Sequence, residues 1–193
     1  MKPIVFVDIE TSGLNSEFHE ILEVACIRIE QNGQRTVYHS RVHPLNIENS
    51  DQRALEINGY NVKDWRDASY PDEVAAALQD FTKGAILIGH NIKFDVDFIS
   101  ELFANHSKTI KFDRRLIDTI VLAYEHLAYC GLESLSLDSI RAFLGWNTKG
   151  AHRALQDCKD VERLFYLLNR ATVFDRLFWA WRHTLLKYFG LRK

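Results

Sequence analysis

Alternation of apolar and polar side chains divides the chain into strands first and helices afterwards. Ile4 to Ile9 is a β-rich run bounded by Pro3 and by Thr11-Ser12-Gly13, which predicts a buried strand ending in a turn. Glu20 to Glu30 and Gln34 to His43 predict two more strands, and Asn32-Gly33 between them is a strong hairpin signal. These three strands make an antiparallel meander. Pro71 opens a helix that runs to Lys83, since proline is tolerated in a first helical turn, and Gly84 closes it. Ala85 to Gly89 then reads as a strand, Phe94 to His106 as a helix, and Ile110 to Phe112 as a short strand. Helices follow at Leu116 to Ala128, Leu137 to Leu144, Ala151 to Arg170 and Val173 to Phe189. A meander followed by alternating strands and helices predicts an α/β domain, with a mixed sheet flanked by helices.

With 193 residues and 47% hydrophobic content, the chain can bury one sizeable core and has little room for a second. The expectation is one domain over residues 1–171, with residues 172–193 as a C-terminal amphipathic helix packed on it or used as an interface. Three cysteines, Cys26, Cys130 and Cys158, without C-x-x-C spacing, argue against a disulfide framework or a zinc site and suit a reducing compartment. The apolar run Ile4 to Val7 is too short for a signal segment, and no stretch approaches the roughly 20 apolar residues of a membrane span. A soluble cytoplasmic protein is expected.

The formal charge of −2 does not announce a nucleic-acid binder. Bound divalent cations would, however, reverse the local sign of an acidic site. Two basic clusters, Lys108, Lys111, Arg114 and Arg115, and Lys187, Arg192 and Lys193, could guide a phosphate backbone; they read equally well as solvated surface.

Chemistry concentrates in three short segments. In FVDIETSGL, Asp8 and Glu10 lie two apart on a strand and so project from one face, while Val7 and Ile9 take the other. Two adjacent carboxylates at the end of an apolar strand are costly unless paired, and a metal ion is one of the few partners that makes them tolerable. The competing reading is a pair of solvated strand-end acids. In GHNIKFDVDF, Asp95 falls in the opening turn of a helix, where the dipole favours its charge, and Phe94 and Phe98 are spaced to pack together. Asp97 lies about 200° around that helix from Asp95 and cannot share its site. In AHRALQDC, His152 and Asp157 are five apart, about 140° on a regular helix. They converge only if His152 sits on the loop or ragged turn after Thr148-Lys149-Gly150; a histidine in that place is otherwise ordinary surface.

Taken in order, these segments resemble the three motifs of the DEDDh superfamily, the proofreading-type 3′–5′ exonucleases. LIDTIVLA also resembles the family's Asp-Thr segment, in which Asp118 is structural. Ser12 stands where threonine is commoner, and Arg153 and Gln156 vary the third motif; neither change removes a ligand. The resemblance implies a ribonuclease H-like fold with a central five-stranded sheet. It also implies two divalent metal ions, Mg²⁺ or Mn²⁺, held by Asp8, Glu10, Asp95 and Asp157. Asp8, Glu10 and Asp157 would bind the ion that carries the attacking water, Asp8 bridging to a second ion that Asp95 supports directly or through water. His152 would accept the water's proton, its ordinary pKa of about 6.5 suiting a base near neutrality. Family members release nucleoside 5′-monophosphates from a 3′ end. The Thr11 backbone, Leu14, His90, Asn91 and Phe94 would hold the terminal nucleotide, with core packing as the competing role for Leu14 and Phe94.

In the last helix, Phe174, Leu177, Phe178, Trp181, Leu185 and Tyr188 recur at helical spacing, and this stripe is expected to pack on the domain. Trp179 and Leu186 fall outside it, which leaves apolar surface for a homodimer or protein partner. The leading expectation is a metal-dependent exonuclease on single-stranded ends, with DNA slightly favoured. The alternatives are an RNA-directed enzyme resembling oligoribonuclease or ribonuclease T, since discrimination rests on contacts to the 2′-OH, and a non-catalytic nucleic-acid-binding module of the same fold.

Overall fold

The computed structural model describes residues 2–147 and 152–189. Its centre is a five-stranded sheet in the order β3-β2-β1-β4-β5, with β1 Ile4–Thr11, β2 Ile21–Ile29, β3 Arg35–Arg41, β4 Ile86–Gly89 and β5 Leu116–Asp118. The first three strands are mutually antiparallel, while β4 runs parallel to β1 and β5 parallel to β4. The hairpin lies at Asn32-Gly33, where Gly33 adopts a φ of 85° that disfavours any residue with a Cβ. The helices are α1 Gln52–Asn58, α2 Pro71–Thr82, α3 Ile92–Asn105, α4 Thr119–Leu127, α5 Leu137–Leu144, α6 Ala154–Asn169 and α7 Val173–Tyr188.

Both faces of the sheet are covered, so β1 and β2 need apolar side chains in nearly every position. Val5, Val7, Ile9, Val24 and Cys26 pack with Val74 and Leu78 of α2 and with Phe98, Ile99 and Phe103 of α3. Phe6, Ala25, Ile27 and Ile88 pack on the other face with Ala154, Cys158 and Val161 of α6. A third cluster joins α4, α5 and the far side of α6 to Trp179 of α7. All three cysteines are buried and free.

Three expectations are corrected, and one helix is added. Residues 110–112 form no strand: the pairing with β4 comes later, at Leu116–Asp118, and Phe112 is instead a single buried anchor in the core beside α2 and α3. Helix α4 accordingly starts at Thr119, where the Asp118 side chain accepts from Ile120 N and ends the strand. The short helix α1 went unread; Asp51 caps it and Gly59 closes it in the left-handed conformation. The stripe on α7 faces outward. Phe174 is 82% exposed and Trp181 60%, whereas Trp179 is 8% exposed and supplies the helix's seat. The polar side is the docked side, with Arg182 donating to the Phe143 carbonyl and His183 lying against the Phe143 ring. The part of the last basic cluster at Arg192 and Lys193 lies outside the described residues. Among the described residues, no helix is long and apolar enough to cross a membrane.

Candidate active site

The strand alternation that sends Val5, Val7 and Ile9 toward α2 and α3 puts Asp8 and Glu10 in step with Phe6, on the side covered by α6. Asp157 projects from the first turn of α6. Asp95 occupies the first turn of α3 and accepts a hydrogen bond from Ile9 N at 3.1 Å, which ties it to β1 between the other two carboxylates. A bulge at Glu10/Thr11 breaks the register with β2, and such irregularities re-aim side chains beside functional sites. The cluster thus sits beyond the carboxyl ends of the parallel neighbours β1 and β4, where the chain leaves the sheet in opposite directions and open α/β sheets bind ligands.

Glu10, His152 and Asp157 each present a ligand atom, and these atoms all lie within 4.8 Å of one another. His152 is exposed, with a left-handed φ of 60°, a conformation in which histidine is enriched among non-glycine residues. Its backbone N–H bonds the Asp157 carboxylate. The Thr148-Lys149-Gly150 segment and the expected helix start at Ala151 lie outside the described residues; α6 itself begins at Ala154.

Electrostatics at this cluster are unfavourable as they stand. Burial pushes the Asp8 carboxyl well above the usual range, and Asp95, Asp157 and Glu10 push it further. Glu10 rises to about 8, through burial first and then the charges of Asp157 and Glu23, its direct partner on β2. Asp95 is raised by burial against the opposing effect of backbone N–H groups, and Asp157 by burial against Arg141. Four desolvated carboxylates short of positive charge are the donor set that a hard divalent cation requires, so the residues fit such an ion.

The sequence reading missed Arg141, Asp138 and Asp160. Arg141 is 1% exposed and bonds Asp157 Oδ1 at 2.7 Å, Asp160 Oδ2 at 2.9 Å and Asp138 Oδ1 at 2.8 Å. The signal was available: Leu137, Ile140 and Leu144 form an apolar i, i+3, i+7 stripe, and Arg141 fills its i+4 place.

The candidate nucleotide-binding residues behave differently from one another. Leu14 stands 82% exposed on the loop after β1. That loop turns closely enough at Gly13 that a Cβ there would meet the His19 ring at 2.3 Å. The Thr11 carbonyl accepts from Asn58 at 2.7 Å, Asn91 is exposed with a φ of 67°, and Phe94 lies against Phe98, with centroids 4.9 Å apart and rings tilted by 48°, while packing on the core. His90 is tied to its neighbours. Its Nδ1 meets Thr119 Oγ1 at 3.0 Å and its Nε2 meets the Leu135 carbonyl at 2.7 Å, so both ring nitrogens are engaged by the scaffold. A groove of about 330 Å³ opens beside residues 16–20, between Phe18, His43, Phe98 and His106, and none of the four carboxylates lines it.

The sequence model of the exonuclease family matches residues 5–165, a span that holds all of these residues. The chain belongs to the exonuclease family, within the DEDDh superfamily. This exonuclease-family chain is 31% identical over 162 residues to the DNA polymerase III PolC-type of Caldanaerobacter subterraneus subsp. tengcongensis, covering 83% of this chain and 11% of that protein. It is 26% identical over 168 residues to the 3′–5′ exonuclease DinG of Staphylococcus aureus, covering 86% of this chain and 18% of that protein. The chain therefore spans less than a fifth of the length of these relatives. Its backbone superposes on E. coli exonuclease I in complex with an oligonucleotide, with a TM-score of 0.75 at 19% identity over 92% of this chain and 43% of that chain. The expected ribonuclease H-like fold is thereby established.

Proposed function

We propose that this exonuclease-family chain is a metal-dependent 3′–5′ exonuclease that removes nucleoside 5′-monophosphates from single-stranded DNA. The observation that carries the reading is the meeting of Glu10, His152 and Asp157 within 4.8 Å, beside the desolvated carboxyls of Asp8 and Asp95. In this reading Asp8, Glu10, Asp95 and Asp157 hold two divalent ions, Mg²⁺ or Mn²⁺. When bound, such ions supply Lewis-acid stabilisation of the charge that develops on the phosphate oxygens.

The protein's own groups do the rest. His152, on its exposed turn, accepts the proton of the attacking water as the new O–P bond forms and the P–O3′ bond breaks; the departing O3′ takes a proton from solvent. Such a base is typically worth roughly 10² to 10⁴ in rate. Exposed Leu14 and the outward edge of Phe94 offer apolar surface for the terminal base, a mode of contact that tolerates any sequence. His90 serves by holding the end of β4 to Thr119 and Leu135. The names of the relatives, a DNA polymerase and a 3′–5′ exonuclease, support DNA over RNA as substrate.

The test is a matched pair of 5′-labelled single strands, DNA and RNA, incubated with Mg²⁺, Mn²⁺ or EDTA. Progressive shortening of the DNA from its 3′ end, abolished by EDTA and by Asp157→Ala, is the expected outcome. Faster loss of the RNA would reverse the substrate assignment, and binding without shortening would remove the enzyme reading.

A further inference from the structure

We propose that Asp138 and Arg141 of α5 are positioning residues for this reaction, Asp138 fixing the imidazole of His152 and Arg141 fixing the carboxylate of Asp157. The inference rests on the reading of His152 as proton acceptor and of Asp157 as a metal ligand, and it names what keeps each of them in place.

Both oxygens of Asp138 are in use. Oδ1 accepts from Arg141 Nη1 at 2.8 Å, and Oδ2 lies 3.3 Å from His152 Nε2. With one ring nitrogen facing Asp138, the imidazole keeps the other for a water, the arrangement in which a base is oriented by a third group. Arg141 spends its three nitrogens on three carboxylates, with Nη2 on Asp157 and Nε on Asp160, whose other oxygen accepts from Gln156 Nε2 at 3.2 Å. At 1% exposure the guanidinium has no room to turn, and its planar fork sets the rotamer of the carboxylate it meets. One helix thus holds two groups that the sequence delivers from the far side of residues 148–151. His152 needs that hold: it stands exposed, outside any helix or strand, at a φ of 60°.

A blander role exists for each residue. Asp138 lies in the first turn of α5, where an acid favours the helix dipole, and Arg141 is a buried counter-ion. Neither role predicts that loss of Asp138 would act through His152.

Single-turnover and steady-state rates on 5′-labelled single-stranded DNA distinguish these roles, using the full chain as wild type, Asp138→Ala, Asp138→Asn, Asp138→Glu, His152→Ala, the Asp138→Ala/His152→Ala double variant and Arg141→Lys. Outer partners of this kind are typically worth about 10- to 100-fold. The expected result is a loss of that size in kcat for Asp138→Ala and Asp138→Asn, with KM and the half-saturating Mg²⁺ concentration unchanged. Asp138→Glu should recover most of the rate. The double variant should be no slower than His152→Ala, because residues acting through one group are not additive. Arg141→Lys should raise the half-saturating Mg²⁺ concentration about 10-fold or more. Wild-type kcat in both Asp138 variants while His152→Ala is slow overturns the role of Asp138, as does a loss that multiplies onto that of His152→Ala. An unchanged Mg²⁺ requirement in Arg141→Lys overturns the role of Arg141. A wild-type rate in His152→Ala would instead overturn the proton-acceptor reading beneath the proposal.

Discussion

Stripping divalent cations and raising the pH should weaken this fold, and Glu10 sets the scale. Its carboxyl holds a proton up to about pH 8 in the folded protein and releases it near 4.5 in an ordinary environment. Between those values the folded state binds more protons than the unfolded chain, so stability falls as pH rises. The contribution is fully present below pH 4.5 and is lost as pH passes through about 8. At about 1.4 kcal/mol per pKa unit, the largest loss from this group is about 5 kcal/mol. For a chain of this size that is a fall in Tm of about 10 °C or more. Asp8, Asp95 and Asp157 are pushed in the same direction and act with the same sign. Cations bind the deprotonated carboxylates, so Mg²⁺ or Mn²⁺ should restore stability, by about 2.7 kcal/mol at 100 times its Kd, and should do so more at pH 8 than at pH 5. Thermal melts at pH 5, 6, 7 and 8, in EDTA and in excess Mg²⁺, measure both effects. A midpoint that stays level or climbs from pH 5 to 8 in EDTA would refute the reasoning, as would an equal Mg²⁺ effect at the two ends.

Replacing His152 by Ala should lower kcat by roughly 10² to 10⁴ with little change in Tm, read from nuclease rates and melts on the same preparation. Trp179→Ala should cost about 3–5 kcal/mol in urea unfolding, because Trp179 seats α7 on the domain. Trp181→Ala, on the outward stripe, should stay within about 0.5 kcal/mol; the reverse order would mean that the helix is rotated. Arg141→Ala leaves two buried acids, Asp157 and Asp160, without their guanidinium and should destabilise by about 3–5 kcal/mol in the same unfolding experiment.

Much of the architecture was readable because its signals are local. Period-2 alternation through β1 decided which way Asp8 and Glu10 point, and the Asn32-Gly33 turn decided the hairpin. Other elements are decided by partners distant in sequence. Ile110 to Phe112 has better strand propensity than its surroundings, yet Gly84 N bonds the Lys111 carbonyl and Asp113 N bonds the Ala85 carbonyl without a ladder forming there. The ladder with β4 forms only at Leu116–Asp118. On α7 a helical stripe reveals that two faces differ, not which one meets the protein. A hydrogen bond from Arg182 and a single buried tryptophan outweigh the larger apolar face. The role of Arg141 was only half legible for a related reason: a lone arginine in an apolar stripe signals a buried partner without naming it, and its partners Asp157 and Asp160 lie on α6. The contacts of His90 are of the same distant kind, since its ring nitrogens meet Thr119 and the Leu135 carbonyl, which no local pattern around residue 90 names.

The bulged end of β1 and the first turn of α6 lie at opposite ends of the family span, residues 5–165, and meet only in the folded domain. A segment that holds β1 and α3 carries Asp8, Glu10 and Asp95 but neither His152 nor Asp157. The carboxylate cluster is therefore whole only while α6 lies against β1, and melting of that one helix removes Asp157 from it while the sheet still presents Asp8 and Glu10.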